Sequence, residues 1–488
     1  MGRQFLGAAV VSRYDLVVIG GGTAGMTAAV GAAGLGARVL LTEADRTGGD
    51  CLWTGCVPSK SLIAAARRAH EMRTADRVGL APVEPAIDLA RIMDRVRDVI
   101  ATIEPHDAPE RLRRDGVEVV AAPGRFVRPG SIDAGGRHVR YRAALIATGS
   151  APALPPVDGL EAAGPLTSDT LWELRELPAW LVILGGGSIG CELGQAFARL
   201  GSAVTIVEIA DRLLPQADPA AGALIADALG RDGVDVRTAA RAVAVADDRL
   251  TVVGPGGATT PVAFDRLLVA AGRSPRTAGL GLDRVGVATD ARGFVDVDAT
   301  MRTTGRNIFA AGDVTGRMPF THVAGAHGSL VVTNALFRLR RTISEDEIPW
   351  AVFTDPEVAH VGLTEAAARQ RWGDAAIVVR HDYSRVDRAA TEAHAAGFAT
   401  LVGDPKERLV GATIVAEAAG ESIAEMVAWL RQGARLRAVA GAIHAYPTMT
   451  EGPWRAALDH LRTRYLSPRV RRWTRPLLAA LRHLDAPR

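Results

Sequence analysis

The sequence predicts an α/β protein with two Rossmann-like dinucleotide-binding domains and a smaller α+β module toward the C-terminal end. Three observations predict it. The apolar run Tyr14–Ile19 enters Gly20-Gly21-Gly22-Thr23-Ala24-Gly25, a small-residue helix follows from Met26 to Gly34, and a second strand, Ala37–Thr42, ends at Glu43. The same order returns at Trp180–Leu184, Gly185-Gly186-Gly187-Ser188-Ile189-Gly190, a helix to about Leu200, the strand Ala203–Val207 and Glu208. After Ile348-Pro349 the pattern changes to strands at Val352–Leu363, Ala376–Arg380, Phe398–Val402 and Leu409–Val415, with helices near Thr364–Arg371 and Glu421–Arg431.

The first two observations share one physical meaning. Glycines let the backbone approach a pyrophosphate, the helix N-terminus stabilises its charge, and the acid accepts from ribose hydroxyls. One such turn is weak evidence. Two in the same register are not: Gly20 to Glu43 and Gly185 to Glu208 each span 23 positions. A second echo supports the duplication. Ala143–Ile146 leads into Ala147-Thr148-Gly149-Ser150, and Leu267–Val269 into Ala270-Ala271-Gly272-Arg273-Ser274-Pro275. Ile308–Ala311 then runs into Gly312-Asp313, a third strand-to-turn junction of the kind at which α/β sheets place ligands.

Composition bounds the rest. A chain of 488 residues fits about three domains. With 48% hydrophobic and 23% charged residues it is neither disordered nor fibrous. No apolar run reaches the ~18 residues of a membrane span. Three cysteines exclude a disulfide scaffold, and the lack of a secretory pattern makes the cytoplasm the expected location. Net charge is +3, and no aromatic or basic motif supports nucleic-acid binding. Of 57 basic residues only two, Lys60 and Lys406, are lysine. A lysine in such an arginine-biased chain points to a need for a compact ammonium with a shiftable pKa.

Cys51 and Cys56 lie in Gly48-Gly49-Asp50-Cys51-Leu52-Trp53-Thr54-Gly55-Cys56-Val57-Pro58-Ser59-Lys60. Four intervening residues can loop two thiols within bonding distance, and Pro58 places a helix start near Cys56. A thiol at a helix N-terminus beside a cation is acidified. The pair reads as a redox-active disulfide; the alternatives are two buried structural cysteines or part of a metal site lacking its other ligands. Cys191, on the second unit's helix, reads as a small buried residue.

With two dinucleotide units and G-G-x-C-x-x-x-x-C-V-P-S-K, the chain resembles the class I pyridine nucleotide-disulfide oxidoreductases over roughly residues 13–460. That family includes dihydrolipoamide dehydrogenase, glutathione reductase and mercuric reductase. The resemblance implies an FAD-binding domain (1–155, returning at 276–347), an inserted NAD(P)-binding domain (156–275) and a homodimer-building interface domain (348–461), with a basic tail at 462–488. It implies that Gly20, Gly22, Gly25 and Glu43 bind the ADP half of FAD. Thr148, Gly149, Ser150 and Asp313 would contact the cofactor further along, and Pro319, Phe320, Thr321 and His322 would run under the isoalloxazine. Cys51 would exchange with substrate, Cys56 touch the flavin, and Lys60 approach its N5 while paired with Glu192; the alternative for Glu192 is an exposed helix residue. Gly185, Gly187, Gly190, Glu208 and Gly272 would serve the nicotinamide nucleotide. Glu208 favours NADH over NADPH, although Arg212 lies near.

The chain departs from the family pattern where a partner-subunit histidine normally supplies the base. Ile443-His444-Ala445-Tyr446-Pro447-Thr448-Met449-Thr450-Glu451 has tyrosine at that position and keeps the glutamate. Tyr446 and Glu451 are the catalytic candidates there, with interface packing as the alternative for Tyr446. This run resembles mercuric reductase, yet no cysteine follows Cys191, so a C-terminal metal relay is missing. No resident metal site is expected. The expected function is electron transfer from NAD(P)H through FAD and the thiols to a disulfide or soft metal ion. Direct reduction of a quinone by the flavin, or a flavin redox sensor, are the alternatives. Residues 462–488 carry eight arginines and one acid, Asp485. They read as a solvated tail or dimer-packing helix, or as a basic amphipathic helix for peripheral membrane contact.

Overall fold

The computed structural model describes residues 13–484. Residues 1–12 of the first expected domain, and 485–488 of the tail with Asp485, lie outside the described residues. In the first unit Val117–Ala121, Val39–Glu43, Arg13–Ile19 and Arg137–Ile146 lie side by side in parallel, and Ile308–Ala310 joins Arg137–Ile146 in parallel. Neighbouring side chains on a strand point to opposite faces. Leu16 and Val18 therefore pack with Leu41, Leu145 and Phe309 against the helices Thr23–Gly34 and Thr321–Phe337. Val17 and Leu40 face Phe126 and Ile132 on the other side. Burial on both faces explains why Leu16–Ile19 reads as an unbroken apolar run. The small residues of Thr23–Gly34 serve close helix packing: a Cβ on Gly328 of the facing helix would collide with Ala24 O.

The second unit has four parallel strands, in the order Asp235–Arg237, Ala203–Val207, Trp180–Leu184, Arg266–Val269. Ile183 and Ile206 face the helix Ser188–Leu200. Val182, Leu184 and Leu267 face an antiparallel meander of Arg241–Ala246, Arg249–Val253 and Thr259–Ala263. The chain's exit from the first unit and its return run together, Ser150–Pro152 antiparallel to Arg273–Pro275.

The third module is a five-stranded antiparallel sheet, in the order Trp350–Val352, Glu357–Gly362, Leu409–Ala416, Phe398–Gly403, Ile377–Asp382. Helices Ala419–Arg431 and Glu451–Tyr465 complete its core. The sequence pattern runs Val352–Leu363 as one strand, whereas the structure divides it at Phe353–Pro356. The Phe353 N–H donates to Glu192 Oε1 (2.9 Å) and the Asp355 N–H to Gln195 Oε1 (2.7 Å), so neither joins the ladder. Pro356 has no N–H to offer.

All three parts meet around the helix Cys56–Arg73. Its Leu62, Ala66 and Ala69 share a core with Met93 and Val96 of Leu89–Ile103 and with Leu193, Ala196 and Phe197 of Ser188–Leu200. Arg199 fastens the junction: Nε donates to Asp232 (2.8 Å) and Nη1 to Asp355 (2.9 Å), with its own side chain 7% exposed. His70, on the central helix, lies 3.4 Å from the same Asp232. Removing one partner of a buried ion pair leaves an uncompensated charge, a loss of about 3–5 kcal/mol. Arg199→Met is therefore expected to lower unfolding free energy by about 3 kcal/mol in urea melts. A loss below about 1 kcal/mol would mean that solvent screens this network.

Candidate active site

Cys51 lies on the short helix Gly49–Trp53, entered through Gly48 and Gly49 with φ of +104° and +62°. Those left-handed angles suit glycine, and they turn the chain straight from the glycines into the thiol. Cys56 is the first residue of the helix Cys56–Arg73, and Lys60 is one turn further on the same face. Lys60 Nζ contacts Glu192 Oε2 at 2.8 Å, while Glu192 Oε1 accepts from the Phe353 N–H. The Glu192 side chain is only 7% exposed, so the ammonium and this backbone donor hold a carboxylate that water hardly reaches. Lys60 Nζ also lies 4.5 Å from the Phe353 ring centroid. The expected Lys60–Glu192 pair is thus present, across the junction of two units.

Both thiols are free. Cys56 Sγ lies 3.3 Å from Oγ1 of Thr321, the first residue of Thr321–Phe337. The Cys56 thiol is pulled down to about 6: Cys51 donates a hydrogen bond to it, Thr321 adds another, and Lys60 contributes its charge. The Cys51 thiol is pushed up, first through that shared hydrogen bond with Cys56 and then by burial. Cys51, Thr321 and Thr23 line a cavity of about 420 Å3, whose wall includes Met26, Val30 and Ile103 with Asp107 and Arg111. Cys191 is buried, donates to Gly186 O at 3.3 Å, and has its thiol pushed up by desolvation. It behaves as the small core residue expected.

The two glycine turns match in detail. A Cβ at Gly20 would strike Ala147 O and one at Gly185 would strike Ala270 O, while Gly25 and Gly190 each lie against the first glycine of their own turn. Glu43 accepts from the Gly21 N–H (2.6 Å) and the Asp45 N–H (2.8 Å). Glu208 accepts from the Gly186 N–H (2.5 Å) and the Ala210 N–H (2.7 Å). Two backbone donors fix each carboxylate at its strand end and leave lone pairs for further donors. Helices Thr23–Gly34 and Ser188–Leu200 begin at Gly22 and Gly187 with no side-chain cap and no acid in the first turn, leaving their N–H groups to an external anion.

Asp313 accepts from Ser150 Oγ at 3.1 Å, and burial raises its carboxyl pKa. His322 Nε2 contacts Pro349 O at 2.7 Å, and its ring stacks on Phe320 beside Pro319. The sequence reading missed a charge cluster here. Arg273 bonds Asp50, Ser150 Oγ (2.6 Å) and Ser150 O (3.0 Å), and Arg276 reaches Asp50 at 3.1 Å. The available signal was position: Asp50 precedes Cys51, and Arg273 follows Gly272.

Tyr446 and Glu451 are not brought to the thiols within the chain. Tyr446 is 69% exposed and donates to Asp387 at 2.8 Å, and that carboxylate raises the phenol pKa. Glu451 is buried, accepting from the Thr448 N–H (3.2 Å) and Arg455 Nε (2.9 Å). His444 points away, with Nε2 3.0 Å from the Glu425 carboxylate.

Residues 14–328 match the pyridine nucleotide-disulphide oxidoreductase family, and residues 348–457 match its dimerisation domain. The chain belongs to this family. It is 37% identical to a dihydrolipoyl dehydrogenase of Thermus scotoductus over 456 residues, covering 91% of this chain and 96% of the relative. Identity to a mercuric reductase of Streptomyces lividans is also 37%, over 449 residues, 90% of this chain and 94% of the relative. The HOCl-induced flavoprotein disulfide reductase RclA of Escherichia coli superposes with a TM-score of 0.80 at 30% identity, covering 91% of this chain and 99% of RclA. The protein is accordingly an FAD-dependent disulfide oxidoreductase that uses NAD(P)H, with a dimerisation domain typical of homodimers in this family. Among the described residues no helix is long and apolar enough to cross a membrane, and no group of three or more metal-ligating side chains occurs.

The residues present fit FAD. Thr148 Oγ1 is buried without a partner among the described residues, and a Cβ on the neighbouring Gly149 would meet open space. Thr148 lies against Gly20 of the first glycine turn, and Ser150, which follows Gly149, donates to the Asp313 carboxylate, so the segment joins the two polar regions a long polar cofactor needs. The sulfur assignment is testable in the reduced enzyme. Thiolate absorbance at 240 nm should titrate near pH 6, vanish in Cys56→Ser and move toward ~8.5 in Cys51→Ala, which loses the main stabilising donor. Lys60→Met should shift it upward by less. An unshifted midpoint in Cys51→Ala would reassign the acidic thiol.

Proposed function

We propose that this enzyme delivers electrons through Cys51 to a small disulfide or a thiophilic metal ion. The opening of Cys51 onto the cavity beside an acidic Cys56 carries this reading. FAD, when bound, accepts hydride equivalents from the nicotinamide nucleotide and makes them available to the sulfur pair. In this reading residues 1–155 and 276–347 hold FAD, 156–275 the nucleotide, and 348–461 the dimer contact, where Tyr446 and Glu451 of each subunit reach the thiols of the other. The Arg-rich C-terminal helix fits a peripheral contact with an anionic surface.

The protein's own groups account for the exchange. Cys51 attacks an acceptor sulfur as its proton passes along the hydrogen bond to the Cys56 thiolate. An acceptor thiolate departs, and a mixed disulfide forms. Cys56 then attacks Cys51 Sγ, closing the Cys51–Cys56 disulfide and expelling the second acceptor sulfur, so that one thiol and one thiolate leave in all. Lys60, held by Glu192, keeps positive charge beside Cys56 throughout. A thiophilic ion would instead take the two sulfurs as ligands. The apolar cavity wall of Met26, Val30 and Ile103 also favours a second reading, a quinone-type acceptor reduced directly. Cys51→Ser separates the two: steady-state reduction of a disulfide or Hg(II) should fall by at least about 10³-fold while quinone reduction persists. Loss of both would refute the assignment of Cys51 as the exchange thiol alone.

Nucleotide choice follows from Glu208. Its carboxylate is pinned by Gly186 and Ala210, at the strand end where a 2′-phosphate would meet negative charge. Arg212, the nearby cation, is turned onto Asp211 (3.2 Å) and Pro215 O (3.1 Å). Flavin bleaching at equal low nucleotide concentration should be faster with NADH than with NADPH; equal rates would remove this preference.

A further inference from the structure

We infer that the C-terminal helix Pro468–Leu484 is an interfacial anchor that lays the enzyme on an anionic lipid surface. The helix begins beyond residue 457, where the match to the dimerisation domain ends. Val470, Trp473, Leu477, Leu481 and Leu484 recur at intervals of three and four and form one stripe. Arg471, Arg472, Arg475 and Arg482 fall on the opposite side. The stripe is not packed on its own chain: Trp473 is 81% exposed, Leu477 60% and Leu484 78%. Just upstream, Tyr465 and Leu466 are exposed as well.

A helix gains most of its stability by burying such a face, and Pro476 removes one of this helix's own backbone bonds. Something must therefore cover the stripe. Charge decides what. No Asp or Glu occurs between residues 460 and 484, whereas seven arginines lie between 462 and 482. A second copy of the helix paired across a two-fold axis would bring like charges together with no carboxylate between them. A purely apolar protein groove would leave the arginines unanswered. An anionic bilayer answers both faces, taking Trp and Leu into the acyl boundary and Arg among phosphates. At 17 residues the helix is about 25 Å long and lies in the surface plane without spanning.

The test uses full-length holoenzyme and 100-nm vesicles of phosphatidylcholine with or without phosphatidylglycerol. Co-sedimentation is expected on the anionic vesicles alone and should weaken as salt rises. Leu477→Glu/Leu481→Glu should reduce partitioning at least tenfold, and Arg471→Gln/Arg475→Gln by about fivefold per arginine removed. All four residues lie far from the thiols in sequence and on an exposed helix, so flavin content, melting temperature and solution turnover should match the parent; that match separates lost binding from lost folding. Failure of the intact holoenzyme to bind anionic vesicles at low salt overturns the inference, as does equal binding by the leucine variant. A dimer-to-monomer change in the leucine variant, with no vesicle binding by the parent, would assign the stripe to a second copy. Retention on duplex DNA that survives the leucine changes, again without vesicle binding, would assign the arginines to nucleic acid.

Discussion

The arrangement around the thiols depends on the ion pair between Lys60 and Glu192. Each residue belongs to a different unit, and the Glu192 carboxylate is almost wholly removed from water. Desolvating such an ion costs several kcal/mol unless its remaining lone pairs are used. Here the second oxygen accepts from the Phe353 N–H of the third module. One carboxylate therefore fixes the helix that carries Cys56, the helix of the second unit and the turn that opens the third module. Lysine suits this place because a compact ammonium meets the carboxylate while the same charge lies 4.5 Å from the centroid of the Phe353 ring. The cation's distance from Cys56 is then set by packing and not by a flexible side chain.

A second charge cluster begins at the residue before Cys51. Asp50, next to Cys51, is neutralised by Arg273 and Arg276, and Arg273 also lies 3.6 Å from Asp313. Both arginines follow the small-residue turn at Gly272, where the chain crosses back into the first unit beside Ser150–Pro152. The crossing strands thus carry electrostatic as well as hydrogen-bonded links. They hold the glycine-rich turn ahead of Cys51 against the segment that precedes Asp313.

What the sequence made legible was governed by how local the cause is. The paired glycine turns were readable because each glycine is demanded by a neighbour's backbone, at Ala147 O in one unit and Ala270 O in the other. The acid at the end of the following strand was readable for the same reason, since it caps that turn's own N–H groups. Lys60 with Glu192 was legible through family resemblance and the scarcity of lysine. Long-range causes were hidden. Arg273 and Asp50 lie 223 positions apart. The break at Phe353–Pro356 arises because backbone donors go to Glu192 and Gln195, side chains some 160 residues earlier, while the apolar pattern itself runs on. The Arg199 junction likewise unites residues from three parts of the chain and has no local signature.

On the proposed reading, the tyrosine at position 446 links the site's electrostatics to the acceptor it suits. A phenol hydrogen-bonded to Asp387, with its pKa raised by that carboxylate, does not take up a proton at neutral pH. His444 is engaged with Glu425 and does not replace it. On the proposed reading the proton of Cys51 must therefore move within the sulfur pair, to the Cys56 thiolate, whose pKa its neighbours pull down to about 6. Such a relay returns only one proton per exchange to the departing sulfurs. It favours acceptors whose sulfurs leave readily as thiolates, because exchange quickens as the leaving thiol becomes more acidic, or thiophilic ions that need no protonated leaving group at all. Ordinary alkyl disulfides, whose thiolates are strong bases, gain least from it. On that reading, an imidazole in place of the phenol would change which acceptors the thiol pair can serve, while the fold and the nucleotide turns would remain as they are.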